Sequence, residues 1–291
     1  MTTPSKQPPS PARKVPDASV EIAGLSPPLP LAIFNAMAIY LGFIAASEAL
    51  PDLFGPMISR LPLLVVPILK TLPIWMLLFH VLARPVHDGF SLGMAFGLAA
   101  SSIGDMALAL ELDERYFLAG LGAFFVAHVL YSLAIISDDD LSNFSGFMAL
   151  LSGGIALGAA ALVLPLFIYH VPMEMRMHVL AYCAVIIVTL WRALARFTTD
   201  LSDAQYRAAG KPTKATSSYV RRGSAATALG AAFFVLSDSL LAYNRFAQPF
   251  RFSHFLVMLT YYSAQALLAG SARADNYRIA PGAQVLNPVR Q

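Results

Sequence analysis

The feature that most constrains this chain is a succession of apolar runs, each long enough to cross a bilayer. Eight stretches of about 20 residues can be marked: 31–50, 62–83, 89–112, 115–137, 145–169, 176–197, 219–243 and 253–272. Most of the connections are short, and Pro51, Pro85, Pro172 and Pro249 punctuate them. Only 13% of the residues are charged, against about 25% in soluble domains, so most of the chain cannot face water. The mean hydropathy of +0.62 says the same. The expected fold is an all-α membrane protein with eight transmembrane helices. Its membrane domain spans 29–273, interrupted by a polar cytoplasmic loop at 198–218. Residues 1–28 and 274–291 read as disordered cytoplasmic tails. The first thirty residues are Pro/Ser-rich and have no apolar core, so they do not form a cleaved signal peptide. Pro67 and Pro73 lie inside the second run and predict a kink there.

The basic residues lie mostly in the tails and the 198–218 loop, as topology signals do, and not as a nucleic-acid surface. With eight spans both termini share a side. That side carries Lys6, Arg13, Lys14, Arg84, Arg192, Arg196, Arg207, Lys211, Lys214, Arg221, Arg222, Arg273, Arg278 and Arg290. The other carries Arg60, Arg115, Arg176, Arg245 and Arg251. Both termini are therefore expected in the cytoplasm, and a glycan on Asn143, in the sequon Asn143-Phe144-Ser145, would reverse this orientation.

A parallel duplication of a four-helix unit is one reading of the pattern. Asp105 closes the third run and Asp238 the seventh, and each is followed 23 residues later by a polar residue, His128 and Tyr261. Chance likeness between apolar helices is the other reading.

The ionisable residues inside these runs are the strongest functional signal. Each costs about 2.5–3.5 kcal/mol near a helix centre on insertion scales. Lys70, Asp105 and Asp238 together would cost about 8–10 kcal/mol unpaired, which rivals the stability of an ordinary domain, about 5–15 kcal/mol. Such groups persist when they pair, line a wet cavity or do chemistry. Counted from the non-cytoplasmic end of each span, Lys70, Asp105, His128, Tyr182, Asp238 and Tyr261 lie at depths of roughly 8–20 Å. Six polar side chains from six helices thus share a layer. Ser101 and Ser102 share a helical face with Asp105, Phe124 and Tyr131 with His128, and Gln265 with Tyr261. A Lys–Asp pair with tyrosine hydrogen bonds that only holds helices together is the structural alternative.

Other motifs carry less. Gly89-Phe90-Ser91-Leu92-Gly93 matches G-x-S-x-G but opens a spanning run, not the strand–turn–helix that motif needs. With Gly97, its glycines fit close helix packing. There is no His-x-x-x-His pair, and Cys183 is the only cysteine, so no metal or other cofactor is expected and no intrachain disulfide is possible. His80, His87, His170, His178 and His254 lie near span ends, and Asp138-Asp139-Asp140 reads as a solvated loop.

Several segments in order resemble the YhhN-like transmembrane lysoplasmalogenase family. They are Lys70-Thr71-Leu72-Pro73, Ser102-x-Gly104-Asp105, Phe117-x-x-Gly120-x-x-Ala123-Phe124-x-x-x-His128-x-x-Tyr131, Gly230-Ala231-x-x-Phe234-x-x-Ser237-Asp238-Ser239-x-x-Ala242-x-x-x-Phe246 and Tyr262-x-Ala264-Gln265. The resemblance covers about 31–272; the N-terminal tail and the 198–218 loop look like additions to the family pattern. It implies an eight-helix fold that hydrolyses the vinyl-ether bond of lysoplasmalogens, with two intramembrane aspartates at its centre. The substrate would be a membrane lipid, an alkenyl-lysophospholipid with an ethanolamine or choline headgroup. In a eukaryote the location implied is the endoplasmic reticulum.

The residues suit that chemistry. A vinyl ether is hydrolysed by protonating its β-carbon, and water then attacks the oxocarbenium ion. The carboxyls of Asp105 and Asp238 can divide these tasks as acid and base, and glycosidases use two carboxyls for a similar cation. Lys70 is expected to pair with an aspartate or with the lipid phosphate. Ser101, His128, Tyr131, Tyr182, Ser237, Tyr261, Tyr262 and Gln265 are supporting candidates. The alternative is a proton-coupled small-molecule or lipid transporter, which paired intramembrane carboxylates also describe.

Overall fold

A computed structural model describes residues 28–83, 88–110, 112–138, 146–208 and 223–274. Among these there is no strand. The helices are α1 (Pro28–Ala49), α2 (Pro51–Ile58), α3 (Val65–Leu82), α4 (Gly89–Leu110), α5 (Glu114–Asp138), α6 (Gly146–Val163), α7 (Met173–Ala208), α8 (Ser224–Ala242) and α9 (Ser253–Ala274). Seven of them, α1, α3, α4, α5, α7, α8 and α9, are long and apolar enough to cross a membrane. Large apolar side chains such as Phe34, Ile39, Phe96, Ile103 and Leu150 face outward, as they would toward lipid. The protein is a multi-pass α-helical membrane protein.

The structure departs from the sequence expectation in four places. The fifth expected span, 145–169, is a shorter apolar helix. Regular α-structure stops at Val163 because Pro165 has no N–H to continue it, and two 3₁₀ turns follow, Leu164–Leu166 and Ile168–His170. The connection after Pro51 is itself a helix, α2, with no buried residue. In α3, Pro67 sits in the first turn, where a missing N–H costs nothing, so only Pro73 is interior. The loop expected at 198–218 is helical as far as Ala208, where α7 ends. The rest of that loop, the tails at 1–27 and 275–291, and Asn143 lie outside the described residues.

Six helices close into a ring in the order α3, α4, α5, α7, α8, α9 and back to α3. α1 covers the seam between α3 and α9, where the Glu48 carboxylate accepts the backbone N–H groups of His254 and Phe255 at the start of α9 (3.0 and 3.2 Å). α6 lies against α7 and makes no comparable contact with α5. α3, α4 and α5 follow one another around the ring as α7, α8 and α9 do, but α1 packs on both α3 and α9 whereas α6 packs mainly on α7, so the outer helices do not repeat the pattern.

Small residues permit this closeness. A Cβ on Gly97 would stand 2.1 Å from the Tyr131 ring, one on Gly93 2.6 Å from Ala134, and one on Gly104 2.6 Å from Phe124. The G-x-S-x-G serine is a helix cap. Ser91 N–H donates to Asp88 Oδ1 at 2.7 Å while Asp88 N–H donates to Ser91 Oγ at 3.1 Å. Two of the cations counted for sidedness are interior. Arg192 and Arg196 are buried, and Arg196 donates to Thr227 Oγ1 (3.2 Å) with its guanidinium 4.3 Å from the Phe90 ring centroid, tying α7 to α8 and α4.

Candidate functional site

At one end of the ring, where α4, α6 and α8 finish and α3, α5, α7 and α9 begin, a cavity of about 680 Å³ enters the bundle. The walls are largely apolar: Leu121 on α5, Leu157, Ala160 and Val163 on α6, Leu180 and Ile187 on α7. The polar groups come from different helices: Lys70 on α3, Asp105 on α4, Tyr182 on α7, Ser237 and Asp238 on α8, Tyr261 on α9. Five of the six residues expected in one layer therefore do line one cavity.

The two aspartates have different partners. Asp105, 1% exposed, forms an ion pair with Lys70 (Nζ to Oδ1, 3.3 Å) and accepts the Tyr261 hydroxyl on Oδ2 at 2.5 Å. Gln265 Nε2 donates to Tyr261 Oη (3.1 Å), Tyr131 Oη donates to Gln265 Oε1 (2.8 Å), and Ser101 Oγ lies 3.3 Å from Tyr131 Oη. One polar chain thus runs from Asp105 through α9 to α5 and back to α4. Asp238 accepts a hydrogen bond from Tyr182. The phase of each face explains the arrangement: Ser101 and Asp105 are one turn apart on α4, Tyr261 and Gln265 on α9.

The remaining candidates stand behind the cavity or are occupied elsewhere. His128 does not line it. Its Nδ1 lies 3.3 Å from Thr189 Oγ1, and its ring centroid is 4.5 Å from that of Phe234, which fills the space beneath the site. The residue with the greatest expected depth is thus the one that falls below the cavity. Ser237 lines the cavity but donates to the Val257 carbonyl (3.0 Å). Tyr262 donates to the Lys70 carbonyl (2.7 Å), so it fixes the backbone that carries the lysine.

Sequence reasoning passed over Tyr40, Asn244, Arg245 and His254, all of which line the cavity. Tyr40 looks like any aromatic in an apolar helix. Arg245 carried a signal, as one of the few cations expected on the non-cytoplasmic side. Among the described residues no group of three or more His, Cys, Asp or Glu side chains is placed to hold a metal ion.

The YhhN family model matches residues 65–272, which holds all of these polar groups except Tyr40. The chain is 33% identical to Lysoplasmalogenase TMEM86A of Homo sapiens, over 74% of this chain and 80% of that one. It is 30% identical to Lysoplasmalogenase TMEM86B of Sus scrofa, over 69% and 73%, and 30% identical to the TMEM86B protein of Homo sapiens, over 70% and 74%. No solved structure matches. On a match that covers most of its membrane helices and both aspartates, the chain belongs to the YhhN family.

Proposed function

We propose that the protein is a lysoplasmalogenase, which hydrolyses the vinyl-ether bond of alkenyl-lysophospholipids to a fatty aldehyde and a glycerophospho-alcohol. The observation that carries this reading is the placing of two aspartates, with unlike partners, in the wall of one largely apolar cavity. A cavity of about 680 Å³ is within the range of about 300–1,000 Å³ seen for small-molecule sites. The apolar walls suit the alkenyl chain. The weak packing of α6 against α5 leaves that side as the route by which a lipid enters from the bilayer. The relatives' printed name supports the same activity.

The partners divide the roles. The Lys70 ammonium complements an ionised Asp105, whose carboxylate faces the developing oxocarbenium ion and orients water. Asp238 has a neutral partner in Tyr182 and is the carboxyl that carries the proton. In the first step Asp238 gives its proton to the β-carbon, and the π electrons of the double bond form the new C–H bond. Water then adds to the α-carbon, and its released proton restores Asp238. Finally the hemiacetal collapses: the bond from the α-carbon to the glycerol oxygen breaks, and the hydroxyl proton passes to that oxygen. Tyr261, Gln265, Tyr131 and Ser101 hold Asp105 in place. The termini are assigned to the cytoplasm and the cavity to the opposite face, lumenal in the endoplasmic reticulum of a eukaryote.

Purified protein in detergent is expected to release fatty aldehyde and glycerophosphoethanolamine in equal amounts from alkenyl-lysophosphatidylethanolamine. Transfer of the intact lipid across proteoliposomes, with no aldehyde formed, would instead identify a transporter.

A further inference from the structure

Lys70, one expected partner of the lipid phosphate, is buried in the bundle with its Nζ 3.3 Å from Asp105 Oδ1. A different cation stands at the cavity's outer end. α8 finishes in a π-helical turn, Tyr243–Ala247, and Arg245 is its third residue. Local π-turns redirect side chains and recur at functional sites. The Arg245 guanidinium carbon lies 3.9 Å from the Phe117 ring centroid and 5.9 Å from that of Phe246, and those two rings meet edge to face at 5.8 Å. Two aromatic rings therefore orient it while the residue remains exposed. The turn is fixed in its own right, because the Phe250 N–H donates to Asn244 Oδ1 at 3.2 Å. Arg245, Asn244 and His254 line the same cavity as Asp238.

We infer that Arg245 is the headgroup-recognition residue: it binds the phosphodiester of a lysophospholipid whose ether-linked chain lies in the cavity. The inference rests on the lysoplasmalogenase reading for the identity of the reacting bond, though not for the binding of the phosphate. Spacing supports it. Arg245 follows Asp238 by seven residues, about two helical turns and roughly 10 Å toward the membrane surface. From phosphorus to the β-carbon of an alkenyl lysolipid there are seven bonds of about 1.5 Å, roughly 9 Å when extended. With the phosphate at Arg245 the β-carbon falls at the depth of Asp238. A guanidinium also matches two phosphate oxygens at once, a geometry that lysine does not offer.

The test is calorimetric binding to the full-length purified protein. The ligands are a saturated 1-alkyl-lysophospholipid, which cannot be hydrolysed, and the 1-alkylglycerol that lacks its phosphate. Wild type is expected to favour the phosphorylated ligand. Arg245→Gln should lower that preference by about tenfold or more, with Arg245→Lys in between and an unchanged melting temperature marking a folded protein. Equal loss of both ligands, or an unchanged preference, would overturn the assignment. So would displacement of the lysolipid by millimolar inorganic phosphate, which would mark a site for free anions. Aldehyde release from the alkenyl lipid is measured separately. Its absence in wild type would refute the hydrolase reading and leave the phosphate result intact.

Discussion

The helix triplets α3–α5 and α7–α9 each bring one aspartate to the same cavity and give it different partners. Gly97 stands eight residues before Asp105 and Gly230 eight before Asp238. Asp105 takes a lysine from the preceding ring helix, α3; Asp238 takes a tyrosine from the preceding ring helix, α7. Asp105 also joins a chain of four further side chains, while Asp238 has Tyr182 and the open cavity. A symmetric site would hold two like carboxyls competing for one proton. In the proposed reading the unlike partners separate the charge from the proton, which is what protonating carbon and then stabilising a cation require.

Breaking the partner of each aspartate should show the difference. Lys70→Met removes one member of a buried ion pair and should cost about 3–5 kcal/mol of stability. That loss is read as a fall in melting temperature in detergent, and equal stability would mean the pair is not formed. Lys70→Met/Asp105→Asn should recover part of the stability without recovering activity. Tyr182→Phe removes one hydrogen bond to a carboxyl, worth about 1–3 kcal/mol. It should act mainly on kcat, because it disturbs the proton donor while the helices stay packed.

The comparison extends to the glycines. At Gly97 a methyl group would enter the Tyr131 ring at 2.1 Å, whereas at Gly230 it would stand 3.0 Å from Leu268 Cγ and 3.1 Å from the Ala264 carbonyl oxygen, a tight fit but not an overlap of that depth. Gly97→Ala should therefore destabilise by about 1–3 kcal/mol and disturb the Tyr131–Gln265 bond, with Gly230→Ala costing less. Equal effects would mean that the two triplets pack alike. The smallest change expected is at Ser237. Its hydroxyl is spent on the Val257 carbonyl, so Ser237→Ala should cost about 1 kcal/mol in stability and leave kcat near wild type.

Much of this was legible before any coordinates. Apolar length marked out seven of the eight expected membrane helices in their order, because a bilayer leaves a backbone few other options, and the fifth expected span came out shorter. The depth of Lys70, Asp105, Tyr182, Asp238 and Tyr261 along their helices was enough to place them in one layer. Rotation about each axis was not readable, so the sequence could not say that Lys70 chooses Asp105, or that Ser237 and Tyr262 turn to backbone carbonyls. The end of α6 at Val163 depends on where the chain spends Pro165, and the polar composition of 198–208 did not show that the helix runs on. The burial of Arg192 and Arg196 was not readable either, because a basic residue near a span end has the same signature whether it snorkels to water or turns inward, as Arg196 does to Thr227 and the Phe90 ring.

The central claim is that two unlike carboxyls act on one vinyl ether. The most direct measurement is aldehyde release from an alkenyl-lysophospholipid by wild type, Asp105→Asn and Asp238→Asn, each shown to be folded, with the matching saturated alkyl ether as control. The account predicts release by wild type from the alkenyl lipid alone, and a loss of about 10²–10⁴-fold in kcat in each variant. Near-normal turnover in either variant, or release from the saturated ether, would contradict it.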